Sequence, residues 1–76
     1  MADQVLDMKG ASCPIPVLKT KKVLATMPKG ATLEVLATDI GAVTDFPAFC
    51  EQTQNTLIEQ TEANGVYRFL IKHTSP

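Results

Sequence analysis

Two prolines one residue apart, Pro14 and Pro16, constrain this chain more than any other feature. Neither supplies a backbone N–H and each ring holds φ at about −65°, so the stretch suits neither a central strand nor a helix interior. The first turn of a helix accommodates both, because its N–H groups have no partner within the helix in any case. The residue ahead of a proline is pushed towards extended geometry, as an N-cap requires. Cys13 therefore reads as the N-cap of a helix beginning at Pro14, with its sulfur at the helix mouth.

That position alters the chemistry of a thiol. A helix N-terminus carries roughly half a positive charge, and cysteines placed there titrate at ~3.5–7.5 rather than near 8.5. Since Pro14 and Pro16 lack donors, Ile15 and Val17 are the first-turn N–H groups left for an anion. The prolines also stiffen the turn and keep the sulfur exposed. Two readings stand at this point: a reactive thiolate, or a small apolar residue buried at a strand–helix corner, as free cysteines commonly are.

The flanking patterns give the architecture. Gln4 to Lys9 reads as a strand with Leu6 and Met8 inward, ended by Gly10. From Pro14 to about Met27, residues Val17, Thr20, Val23, Leu24 and Met27 share one helical arc, with Lys19, Lys22 and Thr26 opposite. Ile15 and Leu18 fall beside Lys22 and outside the core arc, where they read either as a docking patch or as scattered surface aliphatics. Pro28-Lys29-Gly30 stops the helix, and Thr32 to Ala37 is a second strand with Leu33, Val35 and Ala37 on one face. Strand, crossover helix and strand make a right-handed βαβ unit with parallel strands. Its sites belong at the carboxyl ends of the strands, where Cys13 and Thr38-Asp39 both fall.

A second helix spans roughly Ala42 to Gln54, capped by Asp39 or by Thr44-Asp45, with a kink or restart at Pro47. Val43, Phe46, Cys50 and Thr53 share a face, which makes Cys50 a core residue. Leu57 to Glu62 is a polar edge strand, and Asn64-Gly65 is a hairpin turn. Val66 to His73 is the last strand, with Tyr67, Phe69 and Ile71 inward. The expectation is an α+β domain spanning residues 1–76, with a mixed four-stranded sheet and two helices on one face.

Charge and composition narrow the chemistry. Five lysines (Lys9, Lys19, Lys21, Lys22, Lys29) and no acid lie between Met8 and Leu33, whereas all eight acids lie outside that window against only Arg68 and Lys72. The basic block steers acidic partners towards the half that holds Cys13. His73, three residues from the C-terminus, is poorly placed as a base for Cys13 and reads as a surface residue without a role. The two cysteines form no C-x-x-C pair, and with one histidine they make no zinc site; no metal is expected. No glycine-rich phosphate loop and no aromatics interleaved with the lysines are present, so no direct nucleic-acid binding is expected. Without a leader or an ~18-residue apolar run, the reducing cytoplasm is the expected compartment, with no membrane partner. What survives is a single thiolate suited to carrying a group, and sulfur, moved by thiolate attack on sulfur, is a natural cargo. The rival readings are a non-catalytic interaction or regulatory module using the lysine face, and a redox sensor pairing Cys13 with Cys50.

Cys13-Pro14-Ile15-Pro16 resembles the CPxP motif of the TusA/SirA family of sulfur carriers. Leu6-Asp7, Pro28-Lys29-Gly30, the stretch Asp45 to Cys50 and the stretch Gly65 to Ile71 resemble that family in order and spacing. The resemblance implies a βαβαββ two-layer sandwich like the C-terminal domain of translation initiation factor 3. It implies a sulfurtransferase-type carrier in which Cys13 takes persulfide sulfur from a cysteine desulfurase or a rhodanese. A downstream acceptor, DsrE/TusD-like or other, then receives it, in tRNA thiolation, molybdenum-cofactor synthesis or dissimilatory sulfur oxidation. No cofactor is implied beyond the covalent sulfur, and a monomer is expected. Pro14, Ile15 and Pro16 would position the thiolate, and Ser12, Leu18, Lys19 and Lys22 would meet the partner. Ser12 stands where the family usually has a basic residue, and Ile15 where it often has an acidic one.

Overall fold

The computed structural model describes residues 2–12 and 15–75. The element order is β1 (Gln4–Met8), α1 (Ile15–Ala25), β2 (Thr32–Ala37), α2 (Ala42–Thr53), β3 (Thr56–Ala63) and β4 (Val66–Lys72). One sheet of order β1-β2-β4-β3 holds β1 and β2 parallel, with β4 antiparallel to both of its neighbours. Both helices lie on one face, which is the expected α+β arrangement.

The core follows from strand alternation. Leu33, Val35 and Ala37 of β2 and Phe69 and Ile71 of β4 are sealed from solvent. Leu24 and Met27 at the end of α1 and Ala42, Phe46, Phe49 and Cys50 of α2 close over them. Phe46 stacks on Phe69 with ring centroids 4.5 Å apart, a spacing at which offset aromatic rings attract. Thr20 is the one buried polar residue of this layer among the described residues, and its hydroxyl is satisfied by the Pro16 carbonyl at 2.7 Å.

Several details differ from the sequence-based expectation. The last turn of α1 tightens: Thr26 and Met27 donate to the carbonyls of Val23 and Leu24, three residues back, ahead of Pro28. The helix α2 has neither expected side-chain cap; Gly41 is its N-cap, and Asp39 instead accepts the Gly41 N–H one step before the helix. No restart occurs at Pro47. The ring removes the donor that would have bonded the Val43 carbonyl, and the Gln60 side-chain amide on β3 takes that place at 3.4 Å.

The Gln60 contact depends on a bulge. Leu57 pairs with Ile71 but Glu59, not Ile58, pairs with Leu70, so Ile58 is an extra residue in the ladder. The shift sets Gln60, still exposed, opposite Phe69 on the helix side of the sheet and puts Glu59 on the open face. There Arg68 forms ion pairs with Glu34 (2.8 Å) and with Glu59, tying three strands together. The hydrogen bonds that the Arg68 guanidinium donates to Glu59 and Glu34 push it above its ordinary value.

Candidate functional site

The carboxyl ends of the parallel strands β1 and β2 meet as the βαβ unit requires. After β1 the chain turns at Gly10, whose φ of 87° suits glycine. The Gly10 N–H donates to the Thr38 hydroxyl at 2.9 Å, joining the loop after β1 to the loop after β2. This bears out the placement of Thr38-Asp39 beside the first loop. The Ala11 N–H returns to the Met8 carbonyl, and the Ile15 N–H donates to the Ser12 carbonyl at 3.0 Å. That last bond corrects one expectation: the Ile15 donor is already used by the turn and is not held out to an anion. The readings of Cys13 as N-cap and of Pro14 as first helical residue lie outside the described residues.

The other motif and docking residues divide by face. Pro16 is buried, and with Val17 it lines a narrow crevice closed by Asp39, Ala42, Asp45 and Phe46. The crevice has no room for a water molecule, so Pro16 is a wedge between the helices and not part of a ligand pocket. Ser12, Lys19 and Lys22 are exposed. Ile15 is 51% and Leu18 56% exposed. The sequence reading missed two features at this end. The sequence offers Asp45 as a cap candidate and gives no sign that the start of α2 places it beside Pro16 in the lining of this crevice. Ile40, on the loop after β2, is 73% exposed, and its hydrophobicity in a loop was the available signal.

The second thiol and the single histidine lie elsewhere. Cys50 is a free thiol only 3% exposed, and burial pushes it up to about 11. It is therefore protonated and shut away from thiol exchange at neutral pH. His73 is not the roleless surface residue expected. Its Nδ1 lies 2.8 Å from the Met27 carbonyl, its N–H donates to Ala31, and its carbonyl accepts from Gly30. It fastens the end of α1 to β4. At 1.5 Å per residue, an eleven-residue helix puts that end ~16 Å from its start, beyond the reach of a base for Cys13.

A sequence-family model described as "Sulfurtransferase TusA" matches residues 4–73. The chain belongs to the TusA family of sulfur carriers. It is 51% identical to the sulfur carrier protein TusA of Allochromatium vinosum over 70 residues, covering 92% of each chain. A protein of Neisseria meningitidis serogroup A, named as a candidate sulfur carrier, is 47% identical over 73 residues, covering 96% of this chain and 99% of its own. Among solved structures, a SirA-like protein from Desulfitobacterium hafniense superposes with a TM-score of 0.81 at 27% identity, over 95% of this chain and 99% of that one. The TusA-family match takes in the Cys13-Pro14-Ile15-Pro16 motif and both of the loops joined by Thr38. No helix among the described residues is long and apolar enough to cross a membrane.

Proposed function

We propose that Cys13 is the residue that carries sulfur, as a persulfide, between a donor protein and an acceptor protein. The observation that carries this reading is the state of the other thiol. The chain has two cysteines, and Cys50 is sealed in the core and protonated. In a sulfur-carrier family, that leaves Cys13 to exchange sulfur. The start of α1 at Ile15 and the absence of any acid along that helix favour a thiolate there.

The transfer needs no oxidant and no general base. The Cys13 thiolate attacks the terminal sulfur of a donor persulfide; a new S–S bond forms on Cys13, the donor S–S bond breaks, and the donor leaves as its thiolate. The acceptor thiolate repeats the attack on the Cys13 persulfide and releases Cys13 for another cycle. Electrons and protons balance at each step, which suits a site with no histidine near it. The donor is a cysteine desulfurase or a rhodanese in the reducing cytoplasm. The acceptor is a DsrE/TusD-like or other thiol protein leading to tRNA thiolation, molybdenum-cofactor synthesis or sulfur oxidation.

The test is intact mass after incubation with a cysteine desulfurase and cysteine. Wild type should gain the mass of one sulfur atom, reversibly with a thiol reductant, and Cys13→Ser should gain none. Undiminished gain in Cys13→Ser, or none in wild type with either donor class, overturns the assignment.

A further inference from the structure

The geometry points to a second binding site, at the far ends of α1 and α2, for a small carboxylate with an apolar body about the size of one benzene ring. It is independent of the carrier reading, because no residue of the Cys13 motif takes part in it.

The site is a pocket of about 170 Å³ between the last turn of α1, the last turn of α2 and the chain that follows β4. Its most buried lining residues are Leu24 and Phe49, so its floor is apolar. Thr53, Asn55, His73 and Ser75, all half-buried, form the walls, and Lys21 and Ala25 stand on the exposed side. His73 is a fixed wall, pinned through Nδ1 to the Met27 carbonyl at 2.8 Å. An apolar cavity of about 150 Å³ takes one benzene molecule, which sets the size of the body this floor can cover. By contrast, the crevice beside Pro16 has no room even for water.

The polar groups around the pocket decide the charge of its ligand. Two helices end here, and free carbonyls at a helix end would favour a cation. These carbonyls are occupied. Val23 and Leu24 accept from Thr26 and Met27, Phe49 accepts from the Thr53 hydroxyl at 2.7 Å, and Cys50 accepts from the Asn55 N–H. Donors are what remain. The Asn55 Oδ1 is taken by the Thr74 and Ser75 N–H groups, and Nδ2 gives one N–H to Thr53 and keeps the other. Lys21 forms no ion pair among the described residues, and no Asp or Glu lines the pocket. An ammonium and a spare amide N–H over an apolar floor match a carboxylate attached to a ring or short chain. Phosphate would meet the charge and leave the floor bare, whereas a neutral body would cover the floor and leave Lys21 unused.

The probe is sodium benzoate, titrated at constant ionic strength into isotope-labelled protein and followed through the backbone amide resonances. Wild type and Cys13→Ser should show the same saturable shifts at Ala25, Thr53, Asn55 and Ser75, with a Kd of about 1–10 mM for so small a ligand. Benzyl alcohol, which keeps the ring without the charge, and inorganic phosphate, which keeps the charge without the ring, should each bind at least about three-fold more weakly. Lys21→Gln should weaken benzoate about three- to five-fold, the measure of one exposed ion pair. Ala25→Leu exchanges one good helix former for another, fills the pocket and should abolish the saturable shifts. Lys9→Ala, at the opposite end of the molecule, should leave the Kd within about two-fold. Shifts that stay linear to the last addition, equal affinity for benzyl alcohol or phosphate, or undiminished binding in Lys21→Gln and Ala25→Leu overturn the site. The carrier reading stands or falls separately, on the intact mass of Cys13-loaded protein. Comparison of the three probes on the unaltered protein keeps the proposal falsifiable should a variant fold poorly.

Discussion

What the Cys50 thiol can do is decided by its surroundings. Cys50 faces inward from α2 beside Phe46 and Phe49, with no compensating charge, and burial pushes its thiol up to about 11. For an acidic group raised in the folded state, the sign is fixed: above pH 9 the unfolded chain loses this proton while the native chain keeps it. Stability therefore falls as pH rises from about 9 to about 11, by about 2–3 kcal/mol if the full shift is realised. Urea unfolding of wild type across that range, set against Cys50→Ala, should show this decline only in wild type. Parallel declines would assign it to other groups. At neutral pH, Cys50→Ser should cost about 1–3 kcal/mol by burying a hydroxyl among apolar side chains, with sulfur loading of Cys13 retained.

At the scale of elements, the sequence was legible wherever a period or a turn signature carried the information. The alternation of Leu33, Val35 and Ala37, the hairpin at Asn64-Gly65 with φ of 54° and 81°, and the core stripe of α1 are local patterns, and the structure has each of them where the sequence pattern puts it. Two features were not legible because their causes lie in other elements. The bulge at Ile58 is set by pairing with β4, and nothing in the run Leu57 to Glu62 marks which residue is extra. The Val43 carbonyl that Pro47 leaves without a helical donor is met by Gln60, thirteen positions on and set on the helix side of the sheet by that bulge. His73 likewise acquires its role from Met27, forty-six residues away. At the site, the motif exposed Cys13 to inspection, whereas the arrival of Asp45 at Pro16 depends on how α2 crosses the sheet. The same element ends in a recognisable strain. Gln54 closes α2 in the left-handed region at φ 64°, with the Asn55 N–H bonded to the Cys50 carbonyl in a Schellman pattern. Glycine is the residue that position favours, so Gln54→Gly should raise the unfolding free energy by ~0.5–1 kcal/mol. Gln60→Ala should lower it by ~0.5–1.5 kcal/mol, because the Val43 carbonyl loses its partner. Denaturant midpoints at constant m-value check both, and a stabilised Gln60→Ala would show that Pro47 needs no compensation.

For the whole molecule, the fold separates what holds the sheet together from the strand ends where we propose that sulfur is carried. The open face carries the Glu34–Arg68–Glu59 tie, the far end of α1 is fastened by His73, and the near end is left to the two joined loops. At that near end the Gly10 N–H, donating to the Thr38 hydroxyl, cross-links the loops that follow the two βαβ strands. Thr38 is exposed, so replacing it by valine keeps its shape and β-branching at small cost: about 0.5–1.5 kcal/mol for the one hydrogen bond. If that bond serves only the sheet, sulfur loading is unaffected. If it holds the loop that leads to Cys13, the thiol loses a fixed relation to the helix terminus, and the helix field falls off within a turn. The expected result for Thr38→Val is a Cys13 thiol that titrates higher than in wild type and loads from a small persulfide several-fold more slowly at pH 7. Thr38→Ser, which restores the acceptor, should recover both. An alkylation-rate profile against pH measures the first and intact mass against time the second. A wild-type profile in Thr38→Val would confine the bond to stability and detach the sulfur site from the strand ends that flank it.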